Sequence, residues 1–223
     1  MPDGQYSFYL HSDDRTDIAA MATISTISQP LRGEFIRTAA TAGAVVYQVD
    51  ARLPALIPVF FAGQLSAVRL CAVMALVSGT WSSLTGLPDE PENGEAALPV
   101  SPETEYQRRR YTLTLQNGRS GERVESVLTE ASSRLRGDLL RNLIITGLAL
   151  HTTAPELPRL LASMPVPPTS VSELQALVQQ MAGTADVNRA AAAVPDTPAA
   201  SAAPVSGADT REIKKNMRCA FGD

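Results

Sequence analysis

Residues 31–56, LRGEFIRTAATAGAVVYQVDARLPAL, decide the fold because the chain carries them twice. Residues 135–160 read LRGDLLRNLIITGLALHTTAPELPRL. Laid over each other without a gap, the copies place Leu31 on Leu135, Arg32 on Arg136 and Gly33 on Gly137. Farther on, Arg37 falls on Arg141, Gly43 on Gly147, Leu53-Pro54 on Leu157-Pro158 and Leu56 on Leu160. A Gly, an Arg and a Leu-Pro pair in register over this length mark an internal duplication, which governs every later step of the fold assignment.

The repeat extends upstream. QYSFYLHS from Gln5 matches RYTLTLQN from Arg110 once one residue of slack is allowed. Tyr6, Phe8 and Leu10 alternate with polar residues, as do Tyr111, Leu113 and Leu115, which is the period of a half-buried strand. Each unit is then a short strand followed by helices. A lone strand with one apolar face is not stable, and the duplicate supplies its partner. The expected fold class is mainly α with a short two-stranded antiparallel ribbon: tandem ribbon-helix-helix units, each followed by two short helices.

Helix signals fill in the rest. Ser12 or Asp13 is a candidate cap for a first helix with Ile18, Met21, Ile24 and Ile27 at helical spacing. Gln29-Pro30 ends it. A second helix runs from about Leu31 to Val49 with Phe35, Ala39, Ala42, Val45, Val46 and Val49 as its apolar stripe. Gly43 in its middle, echoed by Gly147, costs about 1 kcal/mol relative to Ala, and points to close backbone approach where two such helices cross. A third helix is expected from Arg52 to Phe61 and a fourth from Ser66 to Val77, with Trp81 closing the cluster. In the second unit helices are expected at Glu122 to Ala131, Leu135 to Leu150 and Leu157 to Met164. A last one opens at Ser170 or Ser172 and uses Leu174, Leu177, Val178 and Met181. The domain boundaries follow. Residues 1–85 form the first unit, 86–107 an acidic Pro/Gly linker and 108–183 the second unit. Residues 184–209 read as a disordered Ala/Pro linker, and 210–223 as a C-terminal partner-binding segment.

Composition excludes several functions. A net charge of −4 does not itself announce a nucleic-acid binder, but distribution matters more than the sum. Acidic residues crowd the connector, whereas Arg108, Arg109, Arg110, Arg119, Arg123, Arg134, Arg136 and Arg141 gather around the second strand and its helices. Cys71 and Cys219 lie in dissimilar contexts and read as free thiols. They and the two histidines lack the spacing of a metal site. No phosphate loop or nucleophile–base pair is visible, and Gly118–Gly121 (GRSG) reads as a turn. No catalytic residue, metal or cofactor is therefore expected, and the chain is not read as an enzyme. The most apolar region, Leu53 to Val77, is broken by Pro58, Gln64 and Arg69, so no membrane span is expected. The start, Met1-Pro2-Asp3-Gly4, lacks a secretory pattern, which makes the cytoplasm the expected location.

A strand–helix–helix unit that pairs with its own duplicate resembles the ribbon-helix-helix fold, whose two-stranded ribbon enters the DNA major groove. The outward face would be Gln5, Ser7, Tyr9 and His11 on one strand and Arg110, Thr112, Thr114 and Gln116 on the other. Arg and Gln match base edges, and Thr matches edges or phosphates. Arg32 and Arg136, at the starts of the second helices, are candidate phosphate contacts. More specifically YLHS, then LRGEFIRTAATAG and VDARLPAL, resembles the plasmid-partition adaptor family called ParR or StbB. The resemblance covers about Gln5 to Val77. The second unit keeps Arg136-Gly137-Asp138, Arg141, Gly147 and Leu157-Pro158 but loses YLH and the Asp-x-Arg before Leu-Pro. It implies binding to centromere-like DNA repeats, self-association along that DNA, and a C-terminal segment that recruits an actin-like ATPase filament of the ParM type. In TREIKKNMRCAFGD, Ile213, Met217 and Phe221 recur every four residues among Lys214, Lys215 and Arg218, the pattern of a helix-in-groove motif. Two other functions fit the residues: a ribbon-helix-helix transcriptional repressor, and an interaction scaffold without DNA binding.

Overall fold

Strand β1 (Gln5–His11) pairs with strand β2 (Arg108–Thr114) of the same chain in a two-stranded antiparallel sheet. The computed structural model describes residues 4–80 and 108–192, with side chains to 183. The register sets Tyr6 opposite Leu113, Phe8 opposite Tyr111 and Leu10 opposite Arg109 on the inner face. Phe8, Leu10 and Leu113 are buried, and the Phe8 and Tyr111 rings stack at 5.2 Å and 15°. The alternation expected of both strands is borne out. Aromatic and β-branched residues suit such a pleated, one-sided surface.

After β1 come α1 (Arg15–Ser25), a single 3-10 turn at Gln29–Leu31, α2 (Arg32–Val49), α3 (Leu53–Phe60) and α4 (Ala67–Ser78). After β2 come α5 (Arg119–Glu130), α6 (Arg136–Thr153), α7 (Leu157–Ser163) and α8 (Val171–Ala192). The mainly helical class with one ribbon is as expected, and the duplication is visible element by element.

The two units are interlocked rather than side by side. Helix α2 packs chiefly on α6, while α3 of the first unit lies against α6 and α7 of the second against α2. The close crossing expected from the paired glycines is there. A Cβ on Gly43 would lie 2.6 Å from the carbonyl carbon of Leu143, and one on Gly147 would lie 2.6 Å from that of Ala39. Leu143 is the repeat equivalent of Ala39, so one contact is made twice about a pseudo-twofold axis. Residues from Ile36 to Val46 and from Leu140 to Leu150 supply the centre of one continuous core. This mutual burial explains why neither half makes a core of its own.

Several expected details are corrected. Asp14, not Ser12 or Asp13, caps α1, accepting the Asp17 N–H at 2.9 Å. Helix α1 then buries Asp17, Ala19, Ala20 and Ile24, while Ile18 and Met21 are half-exposed. Helix α5 begins at Arg119, so Gly118 is its N-cap and the GRSG stretch is its first turn rather than a free turn. A glycine at 121 permits this, because a Cβ there would collide with the Gln116 carbonyl. Helix α8 continues to Ala192, so the first nine residues of the stretch expected to be disordered are helical. Alanine-rich sequence carries a helix forward at little cost. Residues up to Asn188 make one compact unit; the second begins at Arg189, and only the end of α8 is described in it. Trp81, the linker 86–107 and the segment 210–223 lie outside the described residues.

The first unit holds its third helix by a device the second lacks. Asp50 accepts the Arg52 N–H at 2.9 Å and the Arg52 guanidinium at 2.7 Å, and that guanidinium also donates to the Val77 carbonyl at 2.9 Å. The start of α3 is thereby tied to the end of α4. The Arg52 side chain holds the Asp50 carboxyl below the usual carboxylate range. Ala154 and Glu156 stand at the equivalent places in the second unit.

Candidate nucleic-acid interface

The ribbon's outer face follows from its register. Gln5 faces Thr114, Ser7 faces Thr112, Tyr9 faces Arg110 and His11 faces Arg108. Gln5, Arg110, Thr112 and Thr114 are exposed, and Ser7, Tyr9 and His11 are partly so. Seven of the eight expected outer-face residues therefore share one surface. The eighth, Gln116, lies two residues past the end of β2, although the Leu115 N–H still reaches the Gly4 carbonyl at 3.2 Å.

The arginines of this face lean along a diagonal. The Arg110 guanidinium donates to Ser7 Oγ at 2.9 and 3.2 Å instead of standing over its direct partner Tyr9. Arg108, one step along the same face, places its guanidinium 3.5 Å from the centroid of the Tyr9 ring. Such a cation–π contact is worth about 0.5–1 kcal/mol at an exposed site. It holds the Arg108 guanidinium on the outer face of the ribbon, against the Tyr9 ring. In the sequence Arg108 falls among its basic neighbours, outside the alternating stretch that defines this face. The signal was there, since Arg108 lies two residues before Arg110 and shares its parity.

Helices α2 and α6 flank the ribbon with their N-termini. Their N-cap residues, Leu31 and Leu135, make no side-chain capping bond. Leu31 is 60% and Leu135 57% exposed, and the Arg32 N–H is already taken by the Gln29 carbonyl of the preceding turn. Arg32 and Arg136 have a shared structural task. Arg32 Nε donates to the Ile27 carbonyl at 2.8 Å, and Arg136 Nε donates to the equivalent Ala131 carbonyl at 3.2 Å. Each ties the chain leaving the first helix of its unit to the start of the second. The same guanidiniums lie near the tyrosines of the opposite strand. Burial pushes the Tyr6 and Tyr111 hydroxyls up, with Arg136 and Arg32 respectively pulling them back down.

The family model described as plasmid stability protein matches residues 4–74 and 109–178, more than half of the chain, in segments that coincide with the two units. The chain belongs to the plasmid stability protein family. No curated protein and no solved structure gave a significant match.

The two copies also differ at a buried polar contact that the sequence does not disclose. Asp17 is fully buried and accepts the His11 N–H at 2.9 Å from the end of β1. It also accepts from Arg141 of the second unit, at 2.7 Å to both Nε and NH2. Arg141 touches Asp14 as well, at 3.3 Å. Burial pushes the Asp17 carboxyl up against the opposing pull of His11 and Arg141. The repeat equivalents are Gly121 and Arg37. Having no carboxylate opposite it, Arg37 pairs with Glu34 on its own helix at 2.7 Å. The duplicated Arg37 and Arg141 were the available clue; the buried aspartate among apolar helix positions was not distinguishable from a surface one.

Among the described residues no group of three or more His, Cys, Asp or Glu could hold a metal, and no helix is long and apolar enough to cross a membrane. Cys71 is a buried free thiol that burial pushes up. Ile213, Lys214, Lys215, Met217, Arg218 and Phe221 lie outside the described residues.

Proposed function

We propose that this chain is a DNA-binding adaptor for plasmid partition, of the ParR or StbB type, that carries a whole ribbon-helix-helix dimer in one polypeptide. The observation that carries this reading is the outer face of the ribbon. Its polar side chains and two arginines are presented on one surface while the inner face is committed to the core. An antiparallel ribbon fits the major groove, and Arg, Gln and Thr offer the donors and acceptors that base edges require. The amides at the starts of α2 and α6 flank it at the places where phosphates would lie. Glu34 and Asp138 in the same first turns weaken that attraction, so the arginines of the ribbon carry most of the electrostatic pull.

The finer assignments belong to the same reading. The DNA is a set of centromere-like repeats along which copies of the chain associate. The segment from Arg211 to Phe221 recruits an actin-like, ParM-type ATPase filament, with Ile213, Met217 and Phe221 as apolar anchors and Lys214, Lys215 and Arg218 steering toward an acidic groove. The test is binding of the full chain to labelled duplexes covering the plasmid locus that carries its gene, in competition with unrelated DNA. One fragment should be preferred, and Arg110→Ala should weaken that preference by about 1–3 kcal/mol. Equal affinity for all fragments, or an unaltered preference in the Arg110→Ala variant, would remove the ribbon as the reading head.

A further inference from the structure

Two-fold symmetry in the backbone is not matched by two-fold symmetry in the side chains that face outward. The register places Ser7 opposite Thr112, and these two are also repeat equivalents, so the pseudo-twofold axis of the ribbon passes between them. Rotation about that axis carries Arg110 onto Gln5, Tyr9 onto Thr114, and His11 onto Gln116. On one side of the axis the outer face offers Arg110, Arg108, Tyr9 and His11. On the other it offers Gln5, Thr114 and Gln116, with no positive charge. The central pair alone is alike on both sides.

The charged side is also built. Arg110 is held by Ser7 Oγ at 2.9 Å, and Arg108 is held on the Tyr9 ring at 3.5 Å from its centroid. Two arginines each held by a neighbour on the outer face have part of their rotamer freedom already fixed, which reduces the ordering cost of binding; Arg110 exchanges its Ser7 contact for a base edge. Arginine is matched to the O6 and N7 acceptors of guanine, whereas Gln matches adenine, and Thr matches several edges including the thymine methyl group.

Resting on the DNA-reading role proposed above, we propose that this chain recognises a non-palindromic duplex site whose two halves are read by different chemistry. The half under Arg108 and Arg110 requires guanine, and the half under Gln5 and Thr114 is neutral and adenine/thymine-tolerant. A homodimeric ribbon places identical side chains on both half-sites and is suited to an inverted repeat. A fused pair is released from that constraint. The consequence is directional: each bound chain points one way along the DNA, so copies on successive direct repeats all point the same way.

The test is enrichment from a random duplex pool by the full chain, followed by sequencing. The expected motif lacks two-fold symmetry, with guanine in one half only. Arg108→Ala and Arg110→Ala should each relax the guanine preference in that half, lowering affinity for the selected site on the order of 10- to 100-fold, and leave the other half unchanged. A variant that makes the two pairs nearest the axis alike, Gln5→Arg with Thr114→Tyr, should gain a guanine preference in the second half at the base read by the new arginine. All four positions are on the outer face, and thermal melts of each variant separate reading defects from folding defects. A palindromic motif for the natural chain, or relaxation of both halves in Arg110→Ala, overturns the directional site while leaving DNA binding intact. No enrichment over the starting pool overturns the DNA-reading role itself, and this proposal with it.

Discussion

Replacing Gly43 with alanine measures the crossing on which the whole unit depends, and it is a test of sign as well as size. In an uncrowded helix the change stabilises by up to about 1 kcal/mol, since Gly is the poorer helix former. Here the new Cβ would lie 2.6 Å from the carbonyl carbon and 2.8 Å from the Cα of Leu143. A relaxed carbon–carbon contact is about 3.5 Å, so α2 and α6 must part by close to that difference. Both obstructing atoms are backbone and have no rotamer by which to move aside. A gap of roughly 0.5–1 Å forfeits a quarter to a half of each dispersion contact across it, and Ala39, Ala40, Leu140, Leu143 and Ile144 all lie buried nearby. Overpacking of this kind costs about 3 kcal/mol, less the gain of about 1 kcal/mol from propensity, for a net loss of about 2 kcal/mol or more. Gly147→Ala should cost a similar amount, because it meets Ala39 in the same way. The double variant should cost less than the sum, since helices already parted accommodate the second methyl. Urea unfolding followed by circular dichroism gives each value by linear extrapolation. Gly183→Ala, with nothing within 4 Å of the new Cβ, is the control and should be neutral or slightly stabilising. A Gly43→Ala protein as stable as the natural chain would refute the close crossing.

Arg141→Ala leaves the Asp17 carboxylate buried without its cation, a loss of about 3–5 kcal/mol where that carboxylate is ionised. Asp17 has a raised folded-state pKa, so its contribution to stability is fully present below the ordinary carboxylate range and declines as pH rises through the raised value. Removing Arg141 raises that value further. Urea unfolding should therefore show a larger deficit near neutral pH than near about pH 4, and an equal deficit at both would contradict the assignment. Arg136→Ala should lower affinity for all DNA sequences alike and flatten the salt dependence by roughly one counterion. It should also lower stability by about 1 kcal/mol, because the Ala131 carbonyl loses its donor; an unchanged melting curve would deny the structural part. Deleting residues 211–223 should abolish filament recruitment in co-sedimentation while DNA affinity holds, and loss of DNA binding instead would contradict the division of labour.

How far the sequence alone reached is decided by what symmetry exposes. Gly43 and Gly147 disclosed the helix crossing because a costly residue repeated at one place demands a shared cause. Alternation of Tyr6, Phe8 and Leu10 against Tyr111, Leu113 and Leu115 disclosed the ribbon and its inner face. What was not legible breaks the repeat. Asp17 and Gly121 occupy equivalent sites with opposite chemistry, and only the folded chain shows that one bridges to Arg141 while the other lets a carbonyl approach. The diagonal lean of Arg108 onto Tyr9 and of Arg110 onto Ser7 depends on strand twist, which a pattern of alternating residues does not encode. Arg32 and Arg136 read as plain phosphate contacts until the carbonyls of Ile27 and Ala131 gave them a second task.

The central claim is that one chain supplies both strands of a DNA-reading ribbon. Native mass spectrometry of the full chain at nanomolar concentration, with and without a short duplex holding one selected site, measures this most directly. The account predicts a folded monomer in the absence of DNA and a complex of one chain with one duplex. A chain that is folded only as a dimer, or a smallest complex containing two chains, would contradict it and place the strand pairing between molecules.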